Sequence, residues 1–290
     1  MTKPLSFLKK IQTLRKRYYL VSSKKQALLK LIHENEVSEQ VYDSNAIENS
    51  TLTLEDTEKI LLEIQLDRGI SERELFEAKN LARVVSYIEK KAIEEEISLP
   101  IILFLHKMLL SNIHDDVAGR LRNESEWVRV SNHIAPDPKH IPSMIESLLI
   151  QYLSTHHENI VKRIALFHLT FEHIHPFVDG NGRIGRIINN YLLIREGFVP
   201  INIKFIDRKL YYEAFNEFDT KKETKIMEAI VGKSLTNSYH KRLAYLEGKE
   251  IITLSEYAKK EKTSHSNLIN KAHRQTIEAF LEKGIWKIGI

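Results

Sequence analysis

Apolar residues return every third and fourth position along most of this chain, a period that fits helices and little else. The pattern runs through segments near 24–33, 53–67, 72–91, 99–112, 141–154, 159–174, 183–196 and 208–218, and it predicts an all-α body. Thr53-Leu54-Glu55-Asp56 offers a capping-box start, and Gly197 a helix stop. Two stretches break the period. Residues 124–138 hold Trp127, Val128 and Val130 in a short β-like run closed by Pro136 and Pro138, which reads as a hairpin or flap set into helices. Residues 251–290 read as two short helices and a hairpin from Ile277 to Ile288 that turns at Lys283-Gly284. The expected division is an N-terminal helical extension over 1–40, a core over 41–246, and a small module over 251–290 behind the polar linker 247–250.

Composition bounds the function. With 290 residues, 42% apolar and 28% charged, the chain can bury a sizeable core. It has no cysteine, which excludes disulfides and thiolate metal sites and favours a reducing compartment. The N-terminal twenty residues are basic but lack a continuous apolar run, so they do not read as a secretory signal. Leu99 to Leu110 is too short to span a bilayer and carries His106 and Lys107. The expectation is a cytoplasmic protein without a membrane partner. A net charge of +4 is too mild to argue for nucleic acid by itself.

The chemistry is concentrated in His175-Pro176-Phe177-Val178-Asp179-Gly180-Asn181-Gly182-Arg183-Ile184-Gly185-Arg186. One amphipathic helix runs up to this string and another leaves it. The glycines allow a tight loop that ends on a fresh helix N-terminus, whose free N–H groups favour an anion. Gly180 and Gly182 leave backbone amides open to phosphate oxygens. Arg183 and Arg186, three apart on the emerging helix, add forked cationic donors. Asp179 is placed to hold Mg²⁺ shared with phosphates, and Asn181 to donate to a phosphate oxygen without adding charge. His175 is the neutral-pH base that can take a proton from an attacking hydroxyl. Phe177 is expected to point into the core. No GxxxxGK[ST] is present, which excludes a P-loop, and the histidines at 168, 173 and 175 do not have HExxH spacing.

The string matches the Fic motif, HxFx(D/E)GNGRxxR, at every defined position, and the chain resembles that family over roughly residues 40–235. The resemblance implies an all-helical Fic core and transfer of AMP from ATP to a Ser, Thr or Tyr hydroxyl of a target protein. It implies His175 as the base, Asp179 as the Mg²⁺ ligand, and Asn181, Gly182 and Arg183 as phosphate holders. Gly119-Arg120 and the Trp127–Pro138 segment look like the approach to the family's flap, which aligns the target polypeptide by β-pairing. Asp207-Arg208 with Tyr211-Tyr212 resembles the stretch whose tyrosine lies by the adenine; a tyrosine pair at a helix start also fits a core.

Ser44-Asn45-Ala46-Ile47-Glu48-Asn49 resembles the Fic inhibitory motif, (S/T)xxxE(G/N), with Ser44 and Glu48 four apart. In relatives with this motif before the core, the glutamate pairs with the loop's second arginine, here Arg186. Glu48 would then put negative charge where the γ-phosphate must sit. The tail looks like a small winged helix-turn-helix, with Ser264, His265, Asn267, Asn270, Lys271 and Arg274 on or near its recognition helix. Glu278 and Glu282, however, fall where they would cancel Lys283 and Lys287. DNA is therefore one candidate partner of the tail, and protein contact or homodimerisation the other. An autoinhibited protein adenylyltransferase is the leading reading. A DNA-binding regulator using the core as a sensor, or a Fic enzyme mainly removing AMP, are the alternatives.

Overall fold

Ser, Thr and Asn caps, proline starts and long apolar stripes set most of the helices in this chain. The structure, a computed structural model, describes residues 4–130 and 133–290. The order is α1 (Pro4–Ser22), α2 (Gln26–Ile47), α3 (Leu54–Leu61), α4 (Glu72–Glu94), α5 (Leu99–Leu110), β1 (Arg129–Val130) and β2 (His133–Ile134). Then come α6 (Ile141–Ser154), α7 (Ile160–Ile174), α8 (Asn181–Arg195), α9 (Arg208–Lys221) and α10 (Lys225–Leu246). The tail is β3 (Ile251–Thr253), α11 (Leu254–Lys260), α12 (His265–His273), β4 (Ala279–Glu282) and β5 (Ile285–Gly289). The Thr53 capping box on Asp56 forms, and Asn159 caps α7 by accepting from the Val161 N–H.

By contacts the chain divides into two units, one of residues 37–198 with 203–228, the other of residues 1–36, 199–202 and 229–290. In the first, α8 packs against α4, α5 and α7, and α7 also meets α6 and α9. Ile184, Ile188, Tyr191, Leu192 and Leu193 of α8 are buried, so the helix that leaves the loop lies inside the unit. The flap is short: β1 and β2 pair antiparallel, Arg129 with Ile134 and Val130 with His133. Residues 131 and 132, within the expected flap, lie outside the described residues.

In the second unit a sheet of order β3-β5-β4 backs α11 and α12 around Leu254, Leu268, Ala272, Ala279 and Ile288. The expected order of helix, helix and hairpin is present, preceded by a strand the sequence reading did not include. Residues 251–290 share this unit with α1 and most of α10. One charge argument is corrected here. Glu282 is buried against Lys241 at 2.6 Å and Lys287 at 2.8 Å, and Glu278 pairs with Arg17 at 2.6 Å. Glu282 thus meets Lys287 as expected, while both carboxylates also neutralise further cations of their own unit.

Four helices differ from the periodic reading, the first being α1, which lies outside its segments. α2 continues from the expected 24–33 segment to Ile47, and α3 stops at Leu61, well before 67. α10 carried no signal at all, because Met227, Val231, Leu235, Tyr239 and Leu243 are buried together with His240, Lys241 and Arg242. Burial on several faces, with polar residues among the buried ones, erases the stripe that periodicity detects.

Candidate active site

The loop between α7 and α8 is built by closing one helix and opening the next. α7 ends at Ile174, and His175 turns into the left-handed region (φ 50°, ψ 62°) while its N–H still bonds to the Phe171 carbonyl. The following Pro176 bars His175 from continuing the α-helix. Gly180 (φ 83°) then opens α8, a conformation costly for any side chain. Phe177 is fully buried and stacks on His106 at 3.7 Å. His106 Nδ1 accepts from the Gly119 N–H at 2.9 Å, which leaves its proton on Nε2, donated to the Asp179 carbonyl at 3.0 Å. Burial pushes this imidazole down to about 4, so it stays neutral in that role.

Arg122 is the second clasp, 3% exposed and spent on carbonyls. Its guanidinium donates to His175 O at 2.8 Å, Glu126 O at 2.8 Å and Pro136 O at 3.1 Å. Its own N–H donates to Pro176 O at 2.9 Å. One residue, through its side chain and its own N–H, thus ties both ends of the flap to the backbone of the loop's first two residues. Sequence reasoning missed it, since a lone loop arginine carries no pattern. His106 had one trace, a polar residue inside an apolar run.

His175 is driven by burial down to about 4, against the pull of the Glu172 carbonyl. It is therefore a neutral imidazole at ordinary pH, the form a base needs. Its Nδ1 lies 3.9 Å from the carboxyl of Glu172. Glu172 is pushed up to about 8 by burial and by the charge of Glu48. Glu172 Oε1 and His175 Nδ1 both lack a hydrogen-bond partner. A lone acid on the apolar face of α7 was the available signal for Glu172.

Asp179 and Arg183 share one network, and Arg186 stands in another. Asp179 accepts from Arg73 at 2.7 Å and pairs with Arg183 at 3.1 Å, and Arg183 also reaches Glu77 at 3.0 Å. Burial would raise the Asp179 carboxyl, but Arg183 and Arg73 outweigh it and hold the group below the usual range. Arg186 is saturated. Nε donates to Ser44 Oγ at 2.9 Å, Nη2 to Ser44 O at 2.8 Å and Glu48 Oε1 at 2.9 Å, and Nη1 to Tyr211 Oη at 3.1 Å.

Gly182 makes room for this arrangement. A Cβ there would stand 2.2 Å from Glu48 Oε1, so the carboxylate fills the space over the first turn of α8. Ser44 lies in the last turn of α2, and Glu48 just beyond it, where its N–H bonds to Asn45 O and Asn49 turns left-handed. Lys204 holds this end of α2 through Glu39 at 2.6 Å and Asp43 at 3.4 Å.

Two residues expected at the nucleotide have inward-facing side chains. The Asn181 carboxamide is turned inward, accepting from Phe177 N and donating to Phe177 O, each at 2.9 Å, so it closes the loop instead of standing open to phosphate. Tyr211 is 1% exposed, and its hydroxyl accepts from Arg186 and donates to His168 Nε2 at 2.7 Å. That ring is packed in the core, as the alternative allowed. Tyr212 is half-exposed, its hydroxyl donating to Ile47 O at 3.2 Å beneath the Arg208 guanidinium.

Residues 96–193 match the profile of the Fic/DOC family, which includes the whole loop and both clasps. The chain carries a Fic/DOC domain. It is 36% identical over 183 residues to the protein adenylyltransferase Fic of Nematostella vectensis, covering 62% of this chain and 42% of that protein. With its namesake from Drosophila virilis it shares 31% over 215 residues, 70% of this chain and 44% of that one. The chain thus spans under half the length of these curated relatives. Among solved structures, a Fic-domain signaling protein of Bacteroides thetaiotaomicron superposes with a TM-score of 0.75 at 22% identity, over 83% of this chain and 97% of that one. A Fic family protein of Desulfovibrio desulfuricans gives 0.69 at 20%, over 100% and 96%. These two share the Fic fold. No helix among the described residues is long and apolar enough to cross a membrane.

Proposed function

We propose that this Fic protein transfers AMP from ATP to a Ser, Thr or Tyr hydroxyl of a target protein, and that Glu48 restrains it. The observation that carries the reading is the Glu48 carboxylate on Arg186, 2.9 Å from Nη2, over the bare backbone of Gly182. An anion occupies the place that a helix N-terminus and a buried guanidinium prepare for one. In the working form that anion is the γ-phosphate of ATP. The neutral His175 takes the proton of the target hydroxyl as its oxygen attacks the α-phosphorus and pyrophosphate leaves. The relatives named protein adenylyltransferase support the same chemistry.

Mg²⁺ fits Asp179: the carboxylate is held ionised, and the partner that faces solvent, Arg73 at 56% exposure, can swing aside. When bound, Mg²⁺ would neutralise charge on the phosphates. Target binding is assigned to the flap, where Trp127 and Ile134 are exposed apolar side chains beside short, pairing-competent strands. Without cysteine, the protein suits a reducing, cytoplasmic compartment.

The test is transfer of label from α-labelled ATP by the wild type, Glu48→Gly, Arg186→Ala and the Glu48→Gly/His175→Ala double variant. Releasing a charged hydrogen bond worth ~1.5–3 kcal/mol predicts a gain of roughly 10–100-fold for Glu48→Gly. The other two variants are expected to be inactive. A Glu48→Gly protein no faster than wild type would remove the restraint. Label transfer surviving in the His175→Ala double variant would remove the base.

A further inference from the structure

Two imidazoles and a carboxylate meet where the flap approaches α7. They are His133 on β2, His173 on α7 and Asp219 on α9, each partly exposed. Each offers one ligand atom, and the three atoms lie within 4.8 Å of one another. His173 Nδ1 is already 2.8 Å from Asp219 Oδ1, and the two rings stack at 4.2 Å.

We propose that His133, His173 and Asp219 bind one transition-metal cation of the zinc class, which cross-links the flap to α7 and α9. The chemistry of the donors points to it: two imidazole nitrogens and one carboxylate oxygen are a common zinc set, with a fourth position left to water. A hydrogen bond that orients one ligand is in place as well. His133 Nε2 is 2.8 Å from the His173 carbonyl, and donating there puts its proton on Nε2 and leaves the Nδ1 lone pair free. A metal-ligating histidine ordinarily makes this bond with its other nitrogen. Between His173 and Asp219 the cation takes the place of the shared proton. Ligand atoms ~2.0–2.1 Å from zinc stand roughly 3.3 Å apart, so the 2.8 Å pair opens slightly and His133 moves inward. The opposing charge nearby is Lys222, which sits over the Phe218 ring at 5.2 Å.

The geometry has a consequence for the flap. β2 begins at His133, and His173 stands two residues before His175. A bound cation would therefore pin the flap strand to the helix that carries the base, independently of nucleotide.

The test uses the full chain without a polyhistidine tag, stripped by chelator and titrated with Zn²⁺ in excess Mg²⁺. One equivalent is expected to bind, and Co²⁺ in its place should give the visible bands of a four-coordinate site. His133→Ala and Asp219→Asn should each weaken binding by more than the ~10–100-fold typical of losing an outer partner. Asp179→Asn and the surface pair variant His156→Ala/His157→Ala should bind as wild type. Amide exchange at Ile134 should slow with Zn²⁺ in wild type and not in His133→Ala. Absence of stoichiometric Zn²⁺ binding, or undiminished affinity in His133→Ala and Asp219→Asn, would overturn the site. Equal loss in Asp179→Asn would assign the ion elsewhere, and unchanged exchange at Ile134 would overturn the cross-link.

Discussion

His175 and Glu172 are a base and an acid three residues apart, shifted in opposite directions by the same burial. The imidazole, lowered to about 4, is mostly unprotonated at pH 5, where an ordinary histidine is mostly charged. Transfer by the Glu48→Gly protein is therefore expected to stay level down to about pH 5 and to fall only toward pH 4. A pH–rate profile with its midpoint near 6.5 would mean that His175 is open to water. For Glu172 the sign runs the other way. Its carboxyl, raised from 4.5 to about 8 by burial and then by Glu48, keeps its proton when folded and loses it when unfolded across that window. Stability contributed by this group is thus complete below pH 4.5 and falls as pH rises toward 8, by up to ~1.4 kcal/mol per pH unit. Glutamine has no proton to lose, so Glu172→Gln should melt higher than wild type at pH 8, with the gap closing toward pH 4.5. Thermal melts across that range decide it; a gap independent of pH would show that Glu172 is not protonated in the fold.

At the scale of elements, the helix–loop–helix that carries the site was legible because its determinants are local. Asn159 starts α7, Pro176 ends it and Gly180 opens α8, and each acts within a few residues of itself. What holds the loop was not legible, because the partners are distant in sequence. His106 reaches Asp179 from α5, and Arg122 gathers carbonyls from 126, 136 and 175. The inward contacts of Asn181 and Tyr211 were hidden for a related reason: a motif gives residue identity, while burial decides which groups of the chain a polar side chain meets. Arg122 supplies a test of the clasp. Arg122→Ala leaves buried carbonyls without donors and is expected to cost ~2–4 kcal/mol of stability. Arg122→Lys, which cannot fork to three carbonyls, should recover little of it. Denaturant melts would read this directly, and a lysine variant as stable as wild type would show that charge alone suffices.

For the whole molecule, the tail reads differently once its buried charges are followed. Lys241 and Arg242 on α10 are buried, and their partners are Glu36 and, for Lys241, Glu282 of β4 at 2.6 Å. Asn237 extends the tie, its carboxamide accepting from Leu281 N at 2.6 Å and donating to Leu281 O at 3.2 Å along the edge of the sheet. Residues 251–290 therefore complete a core begun by α10, and deleting them would strip Lys241 of a carboxylate inside the fold. The cleaner experiment keeps the chain whole. Burial works against the charge on Glu282, but Lys241 and Lys287 outweigh it and hold its carboxyl down at about 2. Its contribution is then present above pH 4.5 and lost as pH falls toward 2. Removing one partner of a buried ion pair costs ~3–5 kcal/mol, whereas replacing both with well-packed neutral groups is often close to harmless. Glu282→Gln should accordingly destabilise the protein at pH 7 by about 3 kcal/mol, and Lys241→Met/Glu282→Gln should regain much of that loss. Every proposed catalytic, phosphate-binding and inhibitory residue, from Ser44 to Arg186, belongs to the other unit. In the Glu48→Gly background, the transfer rate of folded Glu282→Gln protein is therefore expected to equal that of its parent, while its urea midpoint falls. A transfer rate that drops with the midpoint would show instead that the terminal unit is needed for the site to work.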